Sequence, residues 1–401
     1  MGFTTAVKGA PTDDSAPPVD PYGTQHWCIY VHVANLISTR PNLLAATFLQ
    51  RMLQLPATPC RVVRSGALTI LAAAGLSMSP IRSGAQMPRV GIIDVYGMHK
   101  TTPKQIRDAL GISIGDTLTG LTLLQVPAKL ADLPGVASAS VDPVCCEDGK
   151  TMLYIGVIED GAPTLELRAA PNGASRLTPD VIEAGTAFGE ANMRAVMRGF
   201  MKEDVSQGHS LMADSASRMI QLQFVGLAAK HLDTLRKVLR TSSDGDHRAF
   251  AAQVLAYYTN KQAIVGDLVY AMRDANADVR NNATRALWVI AMYARQHPEL
   301  KINVPYEPFV DLLNSLSWTD RNKSSLALMQ LTESRNPTML AALKTRAFDS
   351  LVDIAQWTNP GHSMAGVMIL GRIAGIPDPE IYAMFERGER DKIIEAARKA
   401  K

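Results

Sequence analysis

This chain is poor in the residue types from which catalytic, metal and disulfide chemistry is built. Among 401 residues there are four cysteines, eight histidines and 6% aromatics. So few cysteines exclude a disulfide-built scaffold, because a chain this long can bury a core without covalent staples. Cys145 and Cys146 are adjacent; on a strand they point to opposite faces, one buried and one exposed, with intermolecular pairing or modification as the alternative. The chain has no phosphate-cradling glycine loop, no His-Glu-x-x-His, no Cys-x-x-Cys and no Gly-x-Ser-x-Gly elbow. His209, His231, His247, His297 and His362 share no ligand spacing. These absences point away from an enzyme and leave no metal or cofactor assigned.

Charge of one sign is also lacking. Lysine and arginine number 41 against 38 acidic residues, a net charge of +3, whereas a nucleic-acid binder clusters its basic residues. The densest basic stretch, residues 230–248, is broken by Asp233, Asp244 and Asp246 and reads as a solvated helix face. The uncharged run GALTILAAAGLSM, residues 66–78, is too short to span a bilayer comfortably.

What the chain does have is a frame that recurs four times in its C-terminal half. Its anchors are Asp246, Asp278, Asp320 and Asn359, turn-formers at intervals of 32, 42 and 39 residues that each suit the cap of a following helix. Five, eight and nine residues on stand Ala251, Val254, Leu255; Ala283, Ala286, Leu287; Ser325, Leu328, Met329; and Met364, Val367, Met368. Steps of three and four hold each trio on one helix face. Three copies share an upstream apolar set, Leu235, Val238, Leu239; Phe309, Leu312, Leu313; and Phe348, Leu351, Val352, while the second carries Ile264, Leu268, Val269 and Met272, shifted by about a residue or two. The unit is helix, short polar turn, helix. The second copy carries Asp278-Val279-Arg280 at its turn, the first Asp246-His247-Arg248 and the third Asp320-Arg321; the fourth has Asn359-Pro360-Gly361 there. In these residues the stretch 230–376 resembles HEAT repeats. The resemblance implies an all-α solenoid that binds other macromolecules and seldom does chemistry.

Upstream, Arg61 and Arg64 precede the apolar run, and Ser83-Gly84-Ala85 follows it. Charged start, apolar middle and small-residue end describe a secretory signal peptide over 52–86, with translation starting at Met52 and the mature chain near Gln86. Residues 1–51 are then a misannotated or disordered extension, and the mature chain holds no integral membrane segment.

From Arg89 the pattern becomes strand, helix, helix, strand, strand. Thr102 suits a helix cap, with Pro103 in the first turn and Gln105 placed for a capping box. Pro127 is expected to shorten the second helix so that it starts near Val126. Ile93-x-Val95-x-Gly97, Gly115-Asp116, Leu133-Pro134-Gly135-Val136 and Ile155-x-Val157-x-Glu159 make residues 88–161 resemble a POTRA domain, a module of bacterial outer-membrane barrel-assembly proteins and some division proteins. The resemblance implies an envelope module that contacts other polypeptides. Residues 162–178, rich in Gly, Pro and Ala, read as a linker. Residues 179–229 read as a helical lead-in covering the end of the array, with Met193, Val196, Met197 and Phe200 in its core and a second helix from Leu211. Residues 377–401 mix charges of both signs and read as an exposed C-terminal helix or tail.

The expected fold is thus multidomain: a small α+β POTRA-like domain followed by an all-α HEAT-type solenoid. Trp318 and Trp357 each stand two residues before an anchor, which sets both indoles on one edge of the stack. They are candidate partner-binding residues, with closure of each repeat's own core as the alternative. The function expected is an exported, periplasmic or extracellular scaffold that binds proteins and does no catalysis. An envelope assembly or chaperone factor is a second expectation, and a cytoplasmic adaptor a third if the signal peptide is not used.

Overall fold

The computed structural model describes residues 89–162, 164–200 and 202–401. The expected signal peptide and the segment before it lie outside the described residues, as do the side chains of Cys145 and Cys146.

The first module is a three-stranded sheet with two helices on one face. Its elements are β1 (Val90–Tyr96), α1 (Pro103–Leu110), α2 (Gly120–Ala131), β2 (Val136–Glu147) and β3 (Lys150–Glu159). The strand order is β1-β3-β2, with β1 parallel and β2 antiparallel to β3. Thr102 and Gln105 form the expected capping box, and α1 stops at the left-handed Gly111. The second helix departs from expectation. Capped by Thr119, it runs straight through Pro127, because burial of Val126 and Leu130 on both sides of the proline offsets the lost hydrogen bond.

Residues 164–177, expected to be a linker, form a strap along the array. Arg168 N–H donates to the Arg273 carbonyl (2.8 Å), Ser243 N–H to the Gly173 carbonyl (2.8 Å) and Leu177 N–H to His247 Nδ1 (3.0 Å). The Arg168 guanidinium lies 3.4 Å above the Tyr270 ring. A Cβ on Gly173 would stand 2.3 Å from the Thr241 carbonyl oxygen, so only glycine lets the strap approach so closely.

The lead-in comprises α3 (Pro179–Met197), the short strands β4 (Glu203–Asp204) and β5 (Leu211–Met212), and α4 (Ser215–Lys230). Leu211 therefore sits in a strand, and α4 starts later, capped by Asp214. Met197 and Phe200, expected in the core, are exposed; the helix buries Val181, Ala184, Ala191 and Ala195 instead.

The array follows. Its pairs are α5 (Leu232–Thr241) with α6 (Gly245–Leu255), α7 (Gln262–Ala271) with α8 (Ala277–Gln296), and α9 (Glu307–Leu312) with α10 (Trp318–Leu331); α11 (Pro337–Arg346) then leads to α12 (Phe348–Ala355) with α13 (Pro360–Ile373). The second helices α6, α8, α10 and α13 pack in succession. Of the four downstream trios that the period picked out, every residue but the half-buried Met364 is buried. The anchors do not all cap. Asp244 and Asn276, each two residues earlier, cap α6 and α8, and Ser317 stands at the start of α10; only Asn359 caps its own helix. An arginine follows each of the first three anchors. Arg248, Arg280 and Arg321 turn inward, each donating to the carbonyl six residues back: Ser242 (2.8 Å), Asp274 (2.8 Å) and Ser315 (2.6 Å). Each also reaches a carboxylate of the next unit: Arg248 grips Asp274 with two bonds of 2.9 and 2.8 Å, Arg280 binds Asp320 (2.9 Å), and Arg321 meets Asp353 (3.4 Å). Asp320 is thus an inter-unit acceptor.

The C-terminal residues are not an exposed tail. They form α14 (Asp378–Glu386) and α15 (Arg390–Ala400), and α15 buries Ile393, Ile394 and Ala397 against α12 and α13. The charged side faces out, while this apolar stripe closes the end of the stack.

Candidate functional site

The sheet has two buried faces. Ile93, Val95, Leu153, Ile155, Val157 and Val141 belong to a core shared with α1 and α2, whereas Tyr96, Val144, Met152 and Tyr154 belong to the core of the array. The central strand β3 is accordingly apolar almost throughout.

Pairing places the array-facing residues in rows. Met152 stands between Ile92 and Val144, Tyr154 between Asp94 and Asp142, and Gly156 between Tyr96 and Ser140. Asp94 and Asp142 are two strand spacings apart, about 9.6 Å, which matches the roughly 8–10 Å between packed helices. Each aspartate therefore meets its own repeat unit. Asp142 accepts from Trp318 N–H at 2.9 Å. Asp94 accepts from Thr358 N–H at 2.8 Å and from the Thr358 hydroxyl at 2.7 Å, and Glu147 takes the Asn359 amide at 3.0 Å. Ser317 makes no side-chain cap bond to α10. Asp142 thus caps that helix from another module, with its charge at the positive end of the helix dipole.

The next row grips the backbone. The Leu316 carbonyl accepts from the Tyr96 hydroxyl (2.8 Å) and the Ser140 hydroxyl (2.7 Å), seated over Gly156. Gly97 N–H donates to Asp353 at 2.9 Å, so the arginine–aspartate ladder ends on the sheet.

Trp318 and Trp357 share one edge of the stack, as their spacing requires. They are only 4% and 1% exposed. Trp318 stacks on Tyr154 with centroids 4.8 Å apart, and Trp357 meets Tyr154 and Tyr96 edge-on at 5.2 and 6.0 Å. His362 Nδ1 lies 2.5 Å from the Tyr154 hydroxyl, and the Arg321 guanidinium covers the Tyr96 ring. The tryptophans therefore bind this chain's own sheet. Asp94, Tyr96, Asp142, Tyr154, Gly156 and His362 went unselected in the sequence. One signal was present: β3 reads as a continuous apolar run, the pattern of a strand covered on both faces.

Burial pushes the Asp142 carboxyl up to about 6, and raises Asp94 and Asp353. Burial pushes His362 down to about 4. The signs oppose each other. Asp142 stabilises the fold most below pH 3.8, and that contribution is lost as pH rises through about 6. His362 stabilises above its ordinary 6.5, and that contribution is lost as pH falls toward about 4. Each is worth on the order of 3 kcal/mol, so between pH 6.5 and 4 they largely cancel. Asp142→Asn is expected to make stability fall with acid over this window, and His362→Gln to make it rise. Thermal melting followed by tryptophan emission checks this; an Asp142→Asn slope equal to that of the parent chain would refute it.

Among the described residues no helix is long and apolar enough to cross a membrane, and no three His, Cys, Asp or Glu side chains gather as a metal-binding group. Residues 89–144 match the family model "POTRA domain, FtsQ-type". No curated protein matches the chain. Among solved structures, a designed armadillo repeat protein in complex with the peptide (KR)4 is similar at 17% identity and a TM-score of 0.32, covering 55% of this chain and 98% of that one. The chain thus joins a POTRA domain, matched over residues 89–144, to a helical-repeat array.

Proposed function

We propose that this chain is an exported, non-enzymatic scaffold of a bacterial envelope that gathers protein partners. The observation carrying this reading is the docking of one interaction module on another. The sheet's aspartates cap α10 and meet the start of α13, while the strap lies along the first two units. The two modules are held in one orientation, so partners bound to each are held at a set distance. The POTRA match over 89–144 favours an envelope setting.

Affinity purification of the full-length chain from its native host, with mass spectrometry of its N-terminus and of the bound proteins, tests the proposal. The expected result is an N-terminus near Gln86 and co-purified envelope proteins. Peptides from residues 1–51 on the purified chain, or a purely cytoplasmic set of partners, would overturn it.

A further inference from the structure

The turn between β4 and β5 lies flat on the array. Gly208 N–H donates to the Val205 carbonyl at 3.1 Å, and Gly208 itself takes a left-handed φ of 71°. A Cβ on it would stand 2.9 Å from the Tyr293 ring of α8 and 3.0 Å from Lys261 Cε. Beside it His209, 6% exposed, meets Lys261, 4% exposed and placed at the start of α7. Lys261 Nζ lies 3.3 Å from His209 Nδ1 and donates to the Ala256 carbonyl at 2.7 Å. The imidazole leans on the Tyr257 ring with centroids 4.9 Å apart. Its Nε2 is buried with no partner among the described residues.

Two buried bases in contact call for an acid, and the acids around them are taken. Glu203 of β4 is bound by Arg285 of α8 and accepts from the Ser210 hydroxyl at 2.7 Å. Asp204 is bound by Arg218 of α4 at 2.8 Å and by Ser206 N–H at 3.0 Å. Two carboxylates thus match two guanidiniums. Tyr257 donates its hydroxyl to the Ser210 carbonyl at 2.7 Å, and burial raises its ionisation further out of range. Among the described residues no carboxylate bonds to Lys261 or to His209. An ammonium has no lone pair, and an imidazolium has none either. The contact therefore survives with one of the pair charged and not with both. Two donors would then face each other in a dry site, and the Nε2 proton would still lack an acceptor.

We infer that the turn of residues 205–209 is an acid-released latch on the array: it stays seated while Lys261 and His209 carry at most one charge between them, and it lifts when both are charged. Lifting separates the two bases, lets water reach each, and uncovers Tyr293 and Lys261 on the array. The β4–β5 pairing that holds the turn is two residue pairs long, so little structure has to yield. The direction of the pH response follows from burial. It pushes Lys261 down to about 7 and His209 down to about 4, and the Lys261 charge adds to the second shift. Both groups bind protons more readily in the lifted turn, so the seated turn is favoured at high pH. It loses ground about tenfold per pH unit as pH falls from 10.5 toward about 7 through Lys261, and again from 6.5 toward about 4 through His209. The second fall is the one that brings both charges together.

Hydrogen exchange of the full chain, followed by mass spectrometry from about pH 8 to about pH 4.5 and corrected for the intrinsic pH dependence of exchange, tests the inference. The expected result is that protection over residues 205–209 falls about tenfold per unit below pH 6.5 while β3 stays protected. His209→Gln removes the second charge and is expected to flatten that fall. Lys261→Met removes the first and is expected to shrink it. An NMR titration of the His209 ring in the parent chain needs no variant, and its midpoint is expected well below the ordinary value. Protection that does not change with pH overturns the inference, as does a fall shared equally by β3, a fall that persists in His209→Gln, or a His209 midpoint at the ordinary value.

Discussion

Gly156→Val is expected to detach the sheet from the array and to cost about 2–6 kcal/mol, summing overpacking of about 1–3 with about 1–3 for a buried carbonyl that loses its donors. A Cβ at this position would stand 2.4 Å from the Leu316 carbonyl oxygen, 2.7 Å from the Ser140 hydroxyl and 2.8 Å from the Tyr96 hydroxyl. None of the three has room to yield. The carbonyl belongs to the turn that leads into α10, and the hydroxyls are the two groups that satisfy it. The bulk would part the layers at the row where they come closest. Trp318 and Trp357 would then lose Tyr154 and meet water. A red shift of tryptophan emission at 25 °C, with a lowered thermal midpoint, is the expected signature. Unchanged emission and midpoint would show that the close contact with Leu316 does not hold the modules together.

The second large effect is expected inside the array. Arg280→Met leaves Asp320, only 1% exposed, without its guanidinium. It also strips the Asp274 and Ala275 carbonyls of a donor. An uncompensated buried charge of this kind costs about 3–5 kcal/mol. If the loss comes from the stranded carboxylate, removing it as well should recover most of it, because a buried ion pair and an apolar pair of similar volume are often nearly equivalent. Urea unfolding of Arg280→Met, with and without Asp320→Leu, separates the two cases. A single variant within about 1 kcal/mol of the parent, or a double variant no better than the single, would deny the ladder its role.

Much of this architecture was legible before any coordinates. The period of the apolar trios located the second helix of every unit, and Thr102, Pro103 and Gln105 marked the start of α1. The errors have physical causes. Pro127 was read by its local cost, yet burial of Val126 and Leu130 outweighed it. Residues 377–401 were read by their charges, which lie on one side of α15 and conceal the stripe of Ile393, Ile394 and Ala397 on the other. The strap was read as a linker because it is held by backbone bonds and by one glycine, and composition does not record such bonds.

The site shows the same division. The sequence alone determined the modules, because hydrophobic period and turn chemistry are local properties that act within about ten residues. It also set Trp318 and Trp357 on a common edge, since they occupy matching places in successive repeats. What those indoles meet was decided only by tertiary structure. Asp94 and Asp142 lie 264 and 176 residues from the helix ends they serve. They reach them because two strand spacings happen to equal one helix spacing, a match of lengths between modules that neither module's sequence pattern expresses.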